Sequence, residues 1–125
     1  MARTKPLSQV LNLDTYEGDL KVELRLVADT DEEQAEAPDP VEIPRSIVRR
    51  LHHLGRAFDG QAVKYLKPQG KVRVDFIWLQ RLIGELELVR ETTTDPVSLH
   101  YLSQLIPMLT ASRTIKNSAL LIIEP

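Results

Sequence analysis

Residues 20–27, Leu-Lys-Val-Glu-Leu-Arg-Leu-Val, alternate strictly between apolar and charged. A period of two puts Leu20, Val22, Leu24 and Leu26 on one face and predicts a half-buried strand. Val10–Leu13 reads as a shorter partner strand, with Glu17-Gly18-Asp19 turning between the two. From Ala28 to Pro44 the pattern lapses into Asp, Glu, Ala and three prolines, anchored only by Val41 and Ile43. Such a stretch cannot bury enough surface to offset its ordering entropy, which predicts a mobile linker or long loop over 29–43.

Helical periodicity begins after Pro44, a residue suited to the first turn of a helix. Ile47, Val48, Leu51, Leu54 and Phe58 fall within an arc of roughly 120° at 100° per residue. Arg45, Arg49, His52 and Arg56 fall together on the opposite side, and Asp59-Gly60 signals the end. Residues 61–76 are ambiguous. Ala62, Val63 and Leu66 could continue a helix, but Val63 and Tyr65, then Val72, Val74 and Phe76, alternate around Pro68-Gln69-Gly70, and this favours a hairpin. Asp75 can cap the next helix, with Phe76, Leu79, Leu82, Ile83, Leu86 and Val89 on its core side. Gln80, Arg81, Glu85, Glu87 and Glu91 lie opposite, and Thr92-Thr93-Thr94 breaks it.

Asp95-Pro96 starts a last helix in the order cap, then proline. Its apolar residues from Val97 to Leu109 cover about 200° of arc, so it is either sandwiched in a core or buried against another chain. Pro107 is expected to kink it. Ala119–Ile123, a continuous apolar run, closes the chain as a central strand. The elements sum to an α+β class: a mixed or antiparallel sheet of three to five strands with about three helices on one face. Residues 1–28, the 29–43 linker and 44–125 are read as parts of one domain.

The net charge of −2 hides a partition. Residues 14–42 hold 11 acids and two bases, residues 44–81 hold nine bases and two acids, and the rest is balanced. Segregated charge points to partners rather than to fold. Met1–Leu13 lacks the apolar run of a secretory signal, and the longest apolar stretch is far short of the roughly 20 residues that span a bilayer. A cytoplasmic protein without a membrane partner is expected. With no Cys in the chain, thiol nucleophiles, disulfides and Cys-ligated metals are excluded.

Candidate chemistry is sparse. The five glycines are scattered, so no phosphate-cradling loop exists, and there is no Gly-x-Ser-x-Gly elbow. His52 and His53 point about 100° apart on a helix and cannot share an ion, and His100 is read as solvated. No catalytic residue, metal ligand or cofactor is assigned. The favoured reading is a non-enzymatic protein-binding module, an adaptor, regulator or inhibitor. Its basic stripe, Arg45, Arg49, His52 and Arg56, would meet an acidic patch on another protein. Val97–Leu109 is a candidate surface for homo-oligomerisation.

The alternative is a nucleic-acid-binding regulator. It would use the same stripe with Lys64, Lys67, Lys71 and Arg73, interleaved with Phe58, Tyr65 and Trp78, and the acidic linker could compete with phosphate. Arg45 and His52, two turns apart, are similar to the Arg and His of small helical ribonucleases of the higher-eukaryote-and-prokaryote nucleotide-binding class. That resemblance rests on two residues and implies an all-helical fold, which the strands oppose. A small ribonuclease stands third.

Overall fold

The alternation at 20–27 becomes an inner strand of the sheet. In a computed structural model, which describes residues 19–27, 38–67, 70–115 and 117–125, β1 spans Lys21–Val27. Val22, Leu24 and Leu26 are buried as the period of two requires, whereas Leu20 precedes the strand and is exposed. Val10–Leu13 and residues 28–37 of the acidic stretch lie outside the described residues. Val41–Pro44, assigned from sequence to the linker, is instead a strand, β2, paired antiparallel with β1 through Val22 opposite Ile43 and Leu24 opposite Val41. Two apolar residues one apart suffice here because β1 supplies the ladder.

The chain turns from β2 directly into α1, Arg45–Arg56. Pro44 occupies the cap position and has no side chain to cap with. Asp19 does this from before β1: its Oδ2 accepts from the Ser46 N–H at 3.0 Å and from the Ser46 hydroxyl at 2.7 Å, while the Arg45 N–H donates to Leu20 O at 2.8 Å. The helix ends two residues before Phe58, which is 46% exposed rather than part of the core stripe. Asp59 takes the left-handed conformation at φ 58°, and the Gly60 N–H closes back on Gly55 O at 3.0 Å.

Residues Ala62–Leu66 form a 3-10 turn, not the first arm of a hairpin. Ala62, Val63 and Leu66 are all buried, a spacing no strand can bury on one face. The Glu85 carboxylate holds the segment's start, accepting from the N–H groups of Gln61, Ala62 and Val63 at 2.9–3.2 Å. Gly55 and Gly60 make room for it. A Cβ on Gly55 would come 2.4 Å from Val63 Cγ1, and one on Gly60 would come 2.6 Å from Glu85 Oε1 and 2.8 Å from Gly55 O.

β3, Lys71–Val74, pairs antiparallel with β4, Ala119–Ile123. β4 also pairs antiparallel with β1, which gives the order β2-β1-β4-β3. The continuous apolar run is thus an inner strand, as its composition predicts. Between them lie α2, Phe76–Thr92, and α3, Pro96–Thr110, followed by a 3-10 turn at Ala111–Thr114. Among the described residues the result is a small α+β fold, a four-stranded antiparallel sheet with three helices on one face.

One core joins the layers. Val22, Leu24, Ile43, Val74, Leu120 and Ile122 of the sheet meet Ile47 and Leu51 of α1, Leu82 and Leu86 of α2, and Leu102 and Leu105 of α3. Burial takes up the broad apolar arc of α3. Within Val97–Leu109 only Ser103, Gln104 and Pro107 are exposed, so this helix offers no apolar face to a second copy. Phe76 and Asp75 depart from expectation. Phe76 is exposed, and the Asp75 carboxylate makes no cap bond but sits 3.6 Å from Arg73 Nε.

Asp95 caps α3 as expected, accepting from the Val97 N–H at 3.2 Å and the Ser98 hydroxyl at 2.6 Å, and it pairs with Arg50 at 2.9 Å. Partial burial pushes its carboxyl up, but the Ser98 hydroxyl, Arg50 and the Val97 N–H outweigh this and hold it below the ordinary value. Asp19 is lowered too, first by the Ser46 N–H. Both groups bind protons more weakly folded than unfolded. Their stabilisation is therefore complete above the ordinary aspartate value of about 3.9 and is withdrawn as pH falls through their lowered values. Asp95→Asn is expected to be less stable than the parent at pH 7. In urea melts the gap should narrow as pH falls below about 4.

Candidate interaction surface

α1 separates its charges from its core less simply than the helical wheel implies. Its buried positions are Ile47, Val48, Leu51 and Gly55, and Ser46, Arg49, His53 and Arg56 face outward. Of the stripe expected from sequence, Arg49 and Arg56 are exposed, while Arg45 and His52 are half-buried. Arg45 and Arg49 converge on Glu124, with Nη1 and Nη2 at 3.4 Å and 3.9 Å from Oε1. His52 turns the other way. Its Nδ1 lies 2.8 Å from Val63 O, and since a carbonyl only accepts, Nδ1 carries the proton. The Arg56 guanidinium donates to Gly60 O at 3.3 Å.

Arg45 and His52 therefore diverge, one toward the end of β4 and the other toward the 3-10 turn, and do not form a paired site. Among the described residues no group of three His, Asp or Glu could hold a metal ion. An open depression of about 370 Å³ is lined by Arg73, Asp75, Phe76, Ile77, Asn117, Ser118 and Ala119. Within it the Ser118 hydroxyl donates to Ser112 O at 3.0 Å, and Asp75 faces Arg73.

The strongest gathering of free cations centres on the 3-10 turn. Lys64 Nζ lies 4.7 Å from the Trp78 ring centroid and 5.2 Å from that of Tyr65, and Arg81 Cζ lies 4.9 Å from Trp78. Tyr65 meets Trp78 edge-on at 6.1 Å. Trp78 is half-buried, at the boundary of the core as its wheel position predicts. Lys67, just past the end of the turn, is exposed as Lys64 is. Among the described residues, Arg56, Lys64, Lys67 and Arg81 pair with no carboxylate, unlike Arg45, Arg49 and Arg50. Lys71 and Arg73 lie apart on β3, both exposed.

The positive surface is thus displaced from the middle of α1 to its C-terminal end, the 3-10 turn and the start of α2. Sequence reasoning placed Lys64 and Lys67 on it only in the nucleic-acid reading and left Arg81 out. A helical reading of 62–66 would have brought Lys64 and Lys67 to one side, and with them the neighbouring Trp78. Comparison with protein-family models, with curated proteins and with solved structures finds no match for the chain.

Proposed function

We propose that this chain is a protein-binding module whose partner presents an acidic surface to the Arg56, Lys64 and Lys67 patch. What supports the reading is the set of cations there with no internal carboxylate, beside others on the same helix that are neutralised. Unpaired surface charge of one sign speeds encounter with an opposite patch and selects among partners. The Trp78 ring, already engaged by Lys64, Arg81 and the edge of Tyr65, serves to hold the cations in place rather than to stack a base. That favours a protein over single-stranded nucleic acid, which needs open aromatic faces.

The test is capture from source cells, with and without nuclease, using the parent and an Arg56→Glu, Lys64→Glu, Lys67→Glu variant. All three positions are exposed, so the fold is expected to survive. A nuclease-resistant partner captured by the parent and lost by the variant supports the reading. Nuclease-sensitive capture, with affinity for generic RNA or DNA that falls steeply above about 50 mM salt, would replace it with the nucleic-acid reading.

A further inference from the structure

The outer face of α2 has a pattern that nothing among the described residues explains. Ile77, Arg81, Gly84, Leu88 and Glu91 are all exposed, and at 3.6 residues per turn they fall within about 80° of one another. Ile77 is 75% exposed and Leu88 41%. A single exposed apolar side chain needs no explanation. Two on one stripe of a helix, with a glycine between them, do. Gly84 sits in a helix interior, where glycine weakens the helix relative to alanine, and its missing Cβ would meet nothing within 4 Å. Among the described residues its absence relieves no crowding, in contrast to Gly55.

We propose that α2 is a homodimerisation helix, packing against α2 of a second copy in antiparallel register about a two-fold axis between Arg81 and Gly84. In that register Ile77 lies against Leu88 of the second copy and Arg81 against its Gly84, each contact occurring twice. The glycine lets the Arg81 stem cross close to the opposing backbone. The charges select the orientation. The N-terminal half of the stripe carries Arg81 and its C-terminal end carries Glu91, whereas Glu85 serves the 3-10 turn, Glu87 lies 3.8 Å from Arg113 and Arg90 falls off the stripe. Antiparallel packing turns Arg81 of each copy toward the Glu91 end of the other, whereas parallel packing would align like charges and like ends of the helix dipoles. An isologous contact of this kind closes after two subunits.

Sedimentation velocity at about 100 µM is expected to show a dimer, corresponding to a Kd in roughly the micromolar range. Leu88→Glu and Ile77→Glu should each give a monomer with unchanged far-UV circular dichroism, since neither side chain is in the core. The register is read by oxidation, because the chain has no cysteine of its own. Ile77→Cys combined with Leu88→Cys should crosslink into a covalent dimer. Either change alone should not, because like positions would stand about 16 Å apart along the axis. A parent chain that sediments as a monomer, a dimer that survives both glutamate changes, or single-cysteine variants that crosslink like to like would overturn the proposal. The Arg56, Lys64 and Lys67 variant leaves this stripe intact, so failure of the partner reading and failure of the dimer are separable.

Discussion

Glu85→Ala is expected to lower stability by about 3 kcal/mol, the cost of leaving backbone donors at the start of the 3-10 turn without acceptors. Three N–H groups converge on this carboxylate, and those of Ala62 and Val63 belong to buried residues that water cannot readily serve in its place. Glu85→Gln keeps one acceptor oxygen and presents an amide donor where the other was, so it should lose about half as much. Urea melts of the three proteins measure the series. An alanine variant within about 0.5 kcal/mol of the parent would mean that packing of Val63 and Leu66 alone holds the segment.

Gly55→Ala should destabilise by about 2 kcal/mol even though alanine gains about 1 kcal/mol of helix propensity over glycine. The new methyl would stand 2.4 Å, 2.9 Å and 3.0 Å from three carbons of Val63, a fully buried residue with no room to turn away. A Val63→Ala background reverses the sign. With the opposing side chain cut back, Gly55→Ala should become neutral or stabilising, and a double-mutant cycle by thermal denaturation reads the coupling. If the cycle shows no coupling, the glycine serves some purpose other than admitting the 3-10 turn.

These two sites mark the boundary of what local pattern can reveal. β1, α1, α2 and α3 are legible because each carries a repeating apolar period long enough to define a face, and β4 because its unbroken apolar run marks an inner strand. β2 is not. Val41 and Ile43 alternate for only two steps, and β1 makes them a strand by pairing with them. The 3-10 turn was missed because its stabilising acceptor, Glu85, lies more than twenty residues away on another element. Phe58 was assigned to a core stripe that had already ended, since Asp59 adopts a left-handed conformation that side-chain periodicity does not register.

The candidate surface was legible in its sign and not in its centre. Arginines at 45, 49 and 50 read as equivalent to the one at 56 until Glu124 and Asp95 come from distant parts of the chain to neutralise them. The stripe of Ile77, Gly84 and Leu88 was within reach of the same wheel that sorted the rest of α2. The larger apolar face of the same helix, from Leu79 to Val89, dominates that wheel and masks the stripe.

The strand order has a consequence for how the protein is made. β4 is the last element of the chain and lies between β1 and β3, which do not touch each other. Leu24 finds its partner at Ile122, nearly a hundred residues later. During synthesis the β1–β2 hairpin must therefore wait with a bare edge, and β3 with no partner, until 119–123 leave the ribosome. Non-local pairing of this kind closes slowly and exposes apolar strand edges meanwhile. Interception at that stage, by a chaperone or by another nascent copy, would act on a molecule whose helices can already have formed but whose sheet cannot yet exist.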